Sequence, residues 1–174
     1  MTHPPEVLLH AARFRVERVL QTAPDGQPRA RDVVRHPGSV VVLPLVDPQH
    51  VCLIRNYRIA VTRQLIELPA GTLDGPEPPL QAAQRELWEE TGYRAAHWQP
   101  LAAFYPAPGI LDELMHLYVA TELTPGPPRR EVGEEIENLV VTWDEALALV
   151  RRGDIQDAKT LVGLLLFHFL QRGR

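Results

Sequence analysis

Residues 71–93 constrain this chain more than any other stretch. They read Gly71-Thr-Leu-Asp-Gly-Pro-Glu77-Pro-Pro-Leu-Gln-Ala-Ala-Gln-Arg85-Glu86-Leu-Trp-Glu89-Glu90-Thr-Gly92-Tyr93. The stretch opens as a loop, because Gly71, Asp74, Gly75 and Pro76 are turn residues. It then becomes helical. Pro78 and Pro79 suit first helical positions, where a missing N–H costs nothing. Leu80, Ala83, Leu87 and Thr91 recur at helical spacing and predict the buried stripe, and Gly92 supplies a C-terminal stop. At roughly 100° per residue, Glu86, Glu89 and Glu90 share an arc of about 100° beside that stripe. Like charges so placed destabilise a helix by roughly 0.2–0.5 kcal/mol a pair, and a cation reverses the sign. Glu77 sits at the helix start, where the helix dipole favours an anion. Glutamates without Cys or His among them suit a hard ion such as Mg²⁺ or Mn²⁺. The plain alternative is a solvated acidic helix face.

The rest of the chain reads as strands around this helix. Residues 8–21 are expected to form a strand, turned back at Pro24-Asp25-Gly26 onto a second over 29–35, which makes an antiparallel hairpin. Gly38–Val46 is a continuous apolar run and predicts a buried strand. Further strands are expected over Val51–Tyr57, Leu65–Leu68, His97–Tyr105, Leu114–Thr121 and Ile136–Thr142. Helices are expected over Trp143–Arg151 and Ala158–Leu170, the last apolar on nearly every side. Strands flanking a motif helix predict a mixed sheet packed between helices.

Composition narrows the function classes. A chain of 174 residues fits one domain with a real core. The net charge of −4 gives no basic patch for nucleic acid. The single cysteine, Cys52, excludes an internal disulfide and lies in an apolar run. No stretch reads as a signal peptide or reaches the roughly 18 apolar residues of a membrane span, so a cytoplasmic protein without membrane contact is expected. The 17 prolines cluster in loops between the strand-like runs.

The full spacing of the 71–93 stretch resembles the signature of Nudix hydrolases. Gly71, Glu77, Arg85, Glu86, Leu87, Glu89, Glu90 and Gly92 fall in its register, and only Tyr93 departs, where an aliphatic residue is usual. Within that family three segments resemble the ADP-ribose pyrophosphatase group. Arg55-Asn56-Tyr57-Arg58 and Glu67-Leu68-Pro69-Ala70-Gly71 are similar to its Gln-Tyr-Arg and Glu-Leu-Pro-Ala-Gly segments. Tyr105-Pro106-Ala107-Pro108-Gly109 with Glu113 is similar to its Tyr-Pro-Ser-Pro-Gly segment and following glutamate. Leu161–Leu165 with Phe167-His168 resembles its closing helix. The likeness runs from about residue 35 to the carboxyl end.

The resemblance implies an α/β fold, the α/β/α Nudix sandwich with a mixed sheet, here preceded by the N-terminal antiparallel hairpin. Residues 1–36 form an arm for dimer contacts and 37–174 the hydrolase domain. It implies metal-dependent hydrolysis of ADP-ribose to AMP and ribose 5-phosphate, with Mg²⁺ or Mn²⁺ bound by Glu86, Glu89, Glu90 and the Ala70 carbonyl. Arg85 pairs with a carboxylate such as Glu77 and is structural. The general base is Glu89 or a glutamate of the 131–135 loop, Glu134 aligning best and Glu135 standing beside it. Arg58 is the expected diphosphate contact, with Arg55, Glu67 and Glu113 as further substrate contacts; Tyr57 and Phe104 stack on the base or pack in the core. The group's members are homodimers. A pyrophosphatase for another nucleotide sugar such as GDP-mannose, a triphosphate-cleaving enzyme and a non-catalytic nucleotide-sugar-binding module remain as alternatives.

Overall fold

A computed structural model of the chain describes residues 4–130, 133 and 135–172. Its organising strand is β4 (Ser39–Pro44), buried along its whole length. Side chains alternate across a strand, so Val41 and Leu43 face one core while Val40 and Val42 face the other. Burying each contributes up to about 1.5–3 kcal/mol. A strand covered on both faces explains the unbroken apolar run.

β4 is central in a four-stranded mixed sheet with β7 (Ala70–Thr72), β9 (Met115–Thr124) and β8 (Arg94–Phe104), in the order β7-β4-β9-β8. Only β4 and β9 are parallel within it. β8 lies at the edge and tolerates Pro100 next to an irregularity in register. One face is covered by α1 (Pro79–Thr91), whose Ala82, Ala83 and Leu87 meet Val40, Val42 and Ala120. The other face shares a larger core with a second sheet, order β10-β5-β6, made by β10 (Ile136–Thr142), β5 (His50–Arg58) and β6 (Arg63–Glu67). Helices α2 (Trp143–Arg152) and α3 (Ala158–Phe167) close that core through Trp143, Ala146, Leu149, Leu164 and Phe167.

Three expectations need correction. The stretch 8–21 is not one strand: β1 (Glu6–His10) and β2 (Arg15–Thr22) are joined by a turn closed by Ala11 N–H donating to the Phe14 carbonyl at 2.9 Å. β2 and β3 (Pro28–Arg35) form the expected hairpin, and β1 makes it a three-stranded sheet. Leu80 is 38% exposed, because it stands in the helix's first turn, where Ala82 and Ala83 instead reach the sheet. The last helix stops at Phe167 and continues as a π-helical turn, His168–Arg172. Its inner face carries Lys159 and Thr160, and Phe169 is 72% exposed.

Candidate active site

β7 delivers the chain into the loop before α1, and this places the box carboxylates against backbone. Ala70 N–H donates to Glu90 Oε2 at 2.9 Å, which accounts for a glutamate only 4% exposed on the helix's inner face. Glu86 lies over Gly71: a Cβ built on that glycine would overlap the carboxylate carbon and both of its oxygens. Gly71 is therefore a cradle that only a residue without a side chain leaves open.

Arg85 gathers the remaining carboxylates. Its Nη2 donates to Glu77 Oε1 at 2.8 Å and to the Thr72 carbonyl at 3.3 Å, tying loop to helix as expected from sequence. Its Nη1 donates to Glu86 Oε1 at 2.6 Å and to Glu89 Oε2 at 3.0 Å. Burial alone pulls the Arg85 pKa down, but the Glu77 hydrogen bond and the Glu86 and Glu89 contacts outweigh it and raise it above the ordinary arginine value. Glu77 is correspondingly held below the usual carboxylate range, first by Arg85 and then by the Asp74 N–H that it accepts at 2.8 Å.

The helix's far end is also fixed. Gly92 adopts φ 80°, and its N–H donates to the Trp88 carbonyl at 2.9 Å. A Cβ there would overlap the Gly126 carbonyl oxygen, so the loop after β9 crosses in direct backbone contact. Arg129 N–H donates to the Glu89 carbonyl and Arg130 Nε to the Glu90 carbonyl, each at 3.0 Å. Cations and N–H donors at a helix C-terminus satisfy its last carbonyls.

These elements line a cleft of about 490 Å³. One wall is Ala70 to Gly75 with Arg85, Glu86, Glu89 and Glu90; another carries Arg58, Asp157 and Lys159; a third has Ser39 and Glu113. The Ser39 hydroxyl donates to Glu113 Oε1. Of the residues expected at the site, the fold brings Ala70, Glu86, Glu89, Glu90, Arg58 and Glu113 together. Glu67 stands behind this wall, 1% exposed, with both oxygens taken by Arg58 and Lys159. Arg55 does not line the cleft and reaches Glu137 at 3.3 Å on the neighbouring strand. Glu135 is exposed and away from the cleft lining, while Glu134 and Glu131 lie outside the described residues. Tyr57 is 48% exposed and off the cleft wall, and Phe104 packs against the large core.

Ser39, Asp157 and Lys159 were missed by the sequence reading. A signal existed for one of them: Asp157 three residues before Thr160, ahead of an apolar run, is a helix cap pattern. Its carboxylate accepts from Thr160 N–H at 3.0 Å.

Among the described residues, no three His, Cys, Asp or Glu side chains are already converged as a metal cage. The donor set nonetheless fits a hard divalent cation. All of its side-chain donors are carboxylate oxygens, the Gly71 cradle leaves backbone open beside Glu86, and one guanidinium is shared among three carboxylates.

A model of the NUDIX domain family matches residues 35–162. The chain is 40% identical over 139 residues to an ADP-ribose pyrophosphatase of Bacillus subtilis (strain 168), covering 79% of this chain and 75% of that one. It is 39% identical over 160 residues to a GDP-mannose pyrophosphatase of Cronobacter sakazakii (strain ATCC BAA-894), covering 82% of each. A crystal structure of an ADP compounds hydrolase superposes with a TM-score of 0.82 at 24% identity, over 99% of this chain and 97% of that one, and establishes the shared fold.

Proposed function

The chain belongs to the Nudix family and is a Nudix hydrolase; from that premise we propose that it hydrolyses the pyrophosphate of ADP-ribose to AMP and ribose 5-phosphate, using Mg²⁺ or Mn²⁺. A single observation carries the reading: Glu86, Glu89 and Glu90 share one cleft with the facing cations Arg58 and Lys159. A pyrophosphate presents two negative charges, and a wall of carboxylates cannot receive it without added positive charge. Glu86, Glu89, Glu90 and the Ala70 carbonyl would hold the metal. When bound, the ion screens the phosphate charge and acidifies water. Water oxygen then joins one phosphorus, the bridging P–O bond breaks, and a base accepts the water's proton. Glu89, which lines the cleft, is one candidate for this base; Glu134 and Glu135 are the alternatives from the loop. Arg58 binds the diphosphate, and Glu113 meets the substrate from the opposite wall.

Resemblance to a GDP-mannose pyrophosphatase supports a second reading, in which the same machinery cleaves another nucleotide sugar. The test is hydrolysis of ADP-ribose and GDP-mannose in parallel with Mg²⁺, in wild type and Glu90→Gln. ADP-ribose cleavage that collapses in the variant supports the first reading, and GDP-mannose cleavage alone selects the second. No cleavage of either by folded protein calls for a wider panel that includes nucleoside triphosphates, and inactivity there as well favours a non-catalytic binding module. The reading also includes a cytoplasmic homodimer joined through an arm over residues 1–36, supported by Val7, Leu9 and Leu20, each more than half exposed on the N-terminal sheet. A single-chain mass by light scattering, near 19.6 kDa, would refute the dimer.

A further inference from the structure

One cleft wall, with Glu67 directly behind it, holds a charge cluster built from three separate elements. Glu67, the last residue of β6, accepts Arg58 Nε at 2.8 Å on Oε1 and Arg58 Nη2 at 2.6 Å on Oε2. The same Oε2 accepts Lys159 Nζ at 2.5 Å. Lys159 also reaches Asp157 Oδ2 at 3.0 Å, the carboxylate that caps α3. Two cations and two carboxylates make the cluster neutral. Glu67 and Lys159 are buried, Lys159 at the edge of the cleft wall, while the Arg58 side chain on that wall is 41% exposed.

The geometry divides Arg58 in two. Its Nε and Nη2 edge is gripped by Glu67 in a fork-to-fork pair, the arrangement that fixes a guanidinium most firmly. Its Nη1 has no hydrogen-bond partner among the described residues. Glu67 could not do this alone. A carboxylate held only by Arg58 would turn with it, and removing Lys159 would leave the wall with a net negative charge facing an anionic substrate. Lys159 anchors Glu67 from α3, an element distant in sequence and rigid in packing.

We propose that Lys159 is a positioning residue: acting through Glu67, it holds the Arg58 guanidinium so that the Nη1 edge meets the substrate's diphosphate. This rests on the pyrophosphatase reading above and adds the device that orients its anion contact. The role assigned to Lys159 is exercised through Glu67 and not by contact with the reacting atoms.

The test is a binding cycle, independent of turnover. The α,β-methylene analogue of ADP-ribose, which cannot be cleaved at the bridge, is titrated by calorimetry in Mg²⁺ into wild type, Lys159→Met, Arg58→Ala and the double variant. Lys159→Met is expected to weaken binding about ten-fold in the wild-type background and less than about two-fold in the Arg58→Ala background, as for residues acting through one contact. Lys159→Arg should restore most of the loss. Equal losses in both backgrounds, or no loss in folded Lys159→Met, would overturn the proposal. A crystal structure of wild type with the analogue gives an answer even if Lys159→Met does not fold. Arg58 Nη1 on the diphosphate with the Glu67 and Lys159 contacts kept supports the proposal; Arg58 turned away refutes it. If wild type binds no analogue while folded, the pyrophosphatase reading fails and takes this inference with it. Binding and cleavage by wild type with an unaffected Lys159→Met overturns this inference alone.

Discussion

Substituting Gly71 by Ala separates the site from the fold. A Cβ at residue 71 would overlap the Glu86 carboxylate carbon and both oxygens, far inside the 3.0 Å that real Cβ contacts respect. The backbone of Gly71 has no left-handed φ, so alanine fits the main chain. The obstructed atoms are the far end of a flexible side chain, which can swing clear by rotating its χ angles. Fold stability should therefore change little, and loss of glycine's freedom in the unfolded chain could raise it by about 0.4–1 kcal/mol. Chemistry should not survive so well, because the carboxylate must retreat by about 1 Å or more, and a misplacement of that size costs about 100-fold in rate. The assay is kcat on ADP-ribose in Mg²⁺ beside a thermal melt. A Gly71→Ala enzyme that melts like wild type and retains kcat within about three-fold would refute a role for Glu86 at its observed position.

Two further perturbations probe the fold. Gly163→Ala places a Cβ 2.5 Å from Leu68 Cδ1 in the large core; overpacking should cost about 1–3 kcal/mol, partly offset by alanine's better helix propensity, and a urea midpoint reports it. The acid limb of stability should begin near the ordinary glutamate value of 4.5. Burial pushes Glu67 up, but Arg58 and Lys159 outweigh it, and Arg85 lowers Glu77, so both titrate lower in the folded chain than in the unfolded one. The unfolded chain then binds more protons, and the stabilisation is full above that pH and lost as pH falls through the folded values. Melts from pH 7 to pH 3 should show this, and Glu67→Gln should flatten the slope.

What could be read from sequence follows the range of the interactions. The helix carrying Glu86, Glu89 and Glu90 was legible because its spacing is local, and β4 because a strand covered on both faces writes itself as an unbroken apolar run. The turn between β1 and β2 was not, since Ala11 to Phe14 contain no glycine or proline to mark it. Arg55 and Arg58 were grouped by resemblance, yet side chains three apart on a strand point to opposite faces; Arg58 lines the cleft and Arg55 meets Glu137. Lys159 could not be found, because its partner Glu67 is 92 residues away. Asp157, two residues before it, is its local partner at 3.0 Å, but nothing in the sequence points from this helix to Glu67.

The box itself explains why a cation should stabilise this fold. Glu77, Glu86 and Glu89 share the guanidinium of Arg85, and Glu90 relies on the Ala70 N–H. Four carboxylates gathered around one arginine put an excess of negative charge in a partly buried wall, which the fold bears while presenting oxygen donors. A divalent ion binding there should stabilise the fold by mass action, by about 2.7 kcal/mol at a hundredfold excess over its Kd, and so raise the melting point. The increase should shrink in Glu90→Gln, which removes one of the negative charges, and should be largest for Mg²⁺ and Mn²⁺. Melts in EDTA, Mg²⁺ and Mn²⁺ measure it without any substrate. Identical melts in all three for wild type would mean that the protein's own donors satisfy the cluster, and the box would then be structural rather than metal-binding.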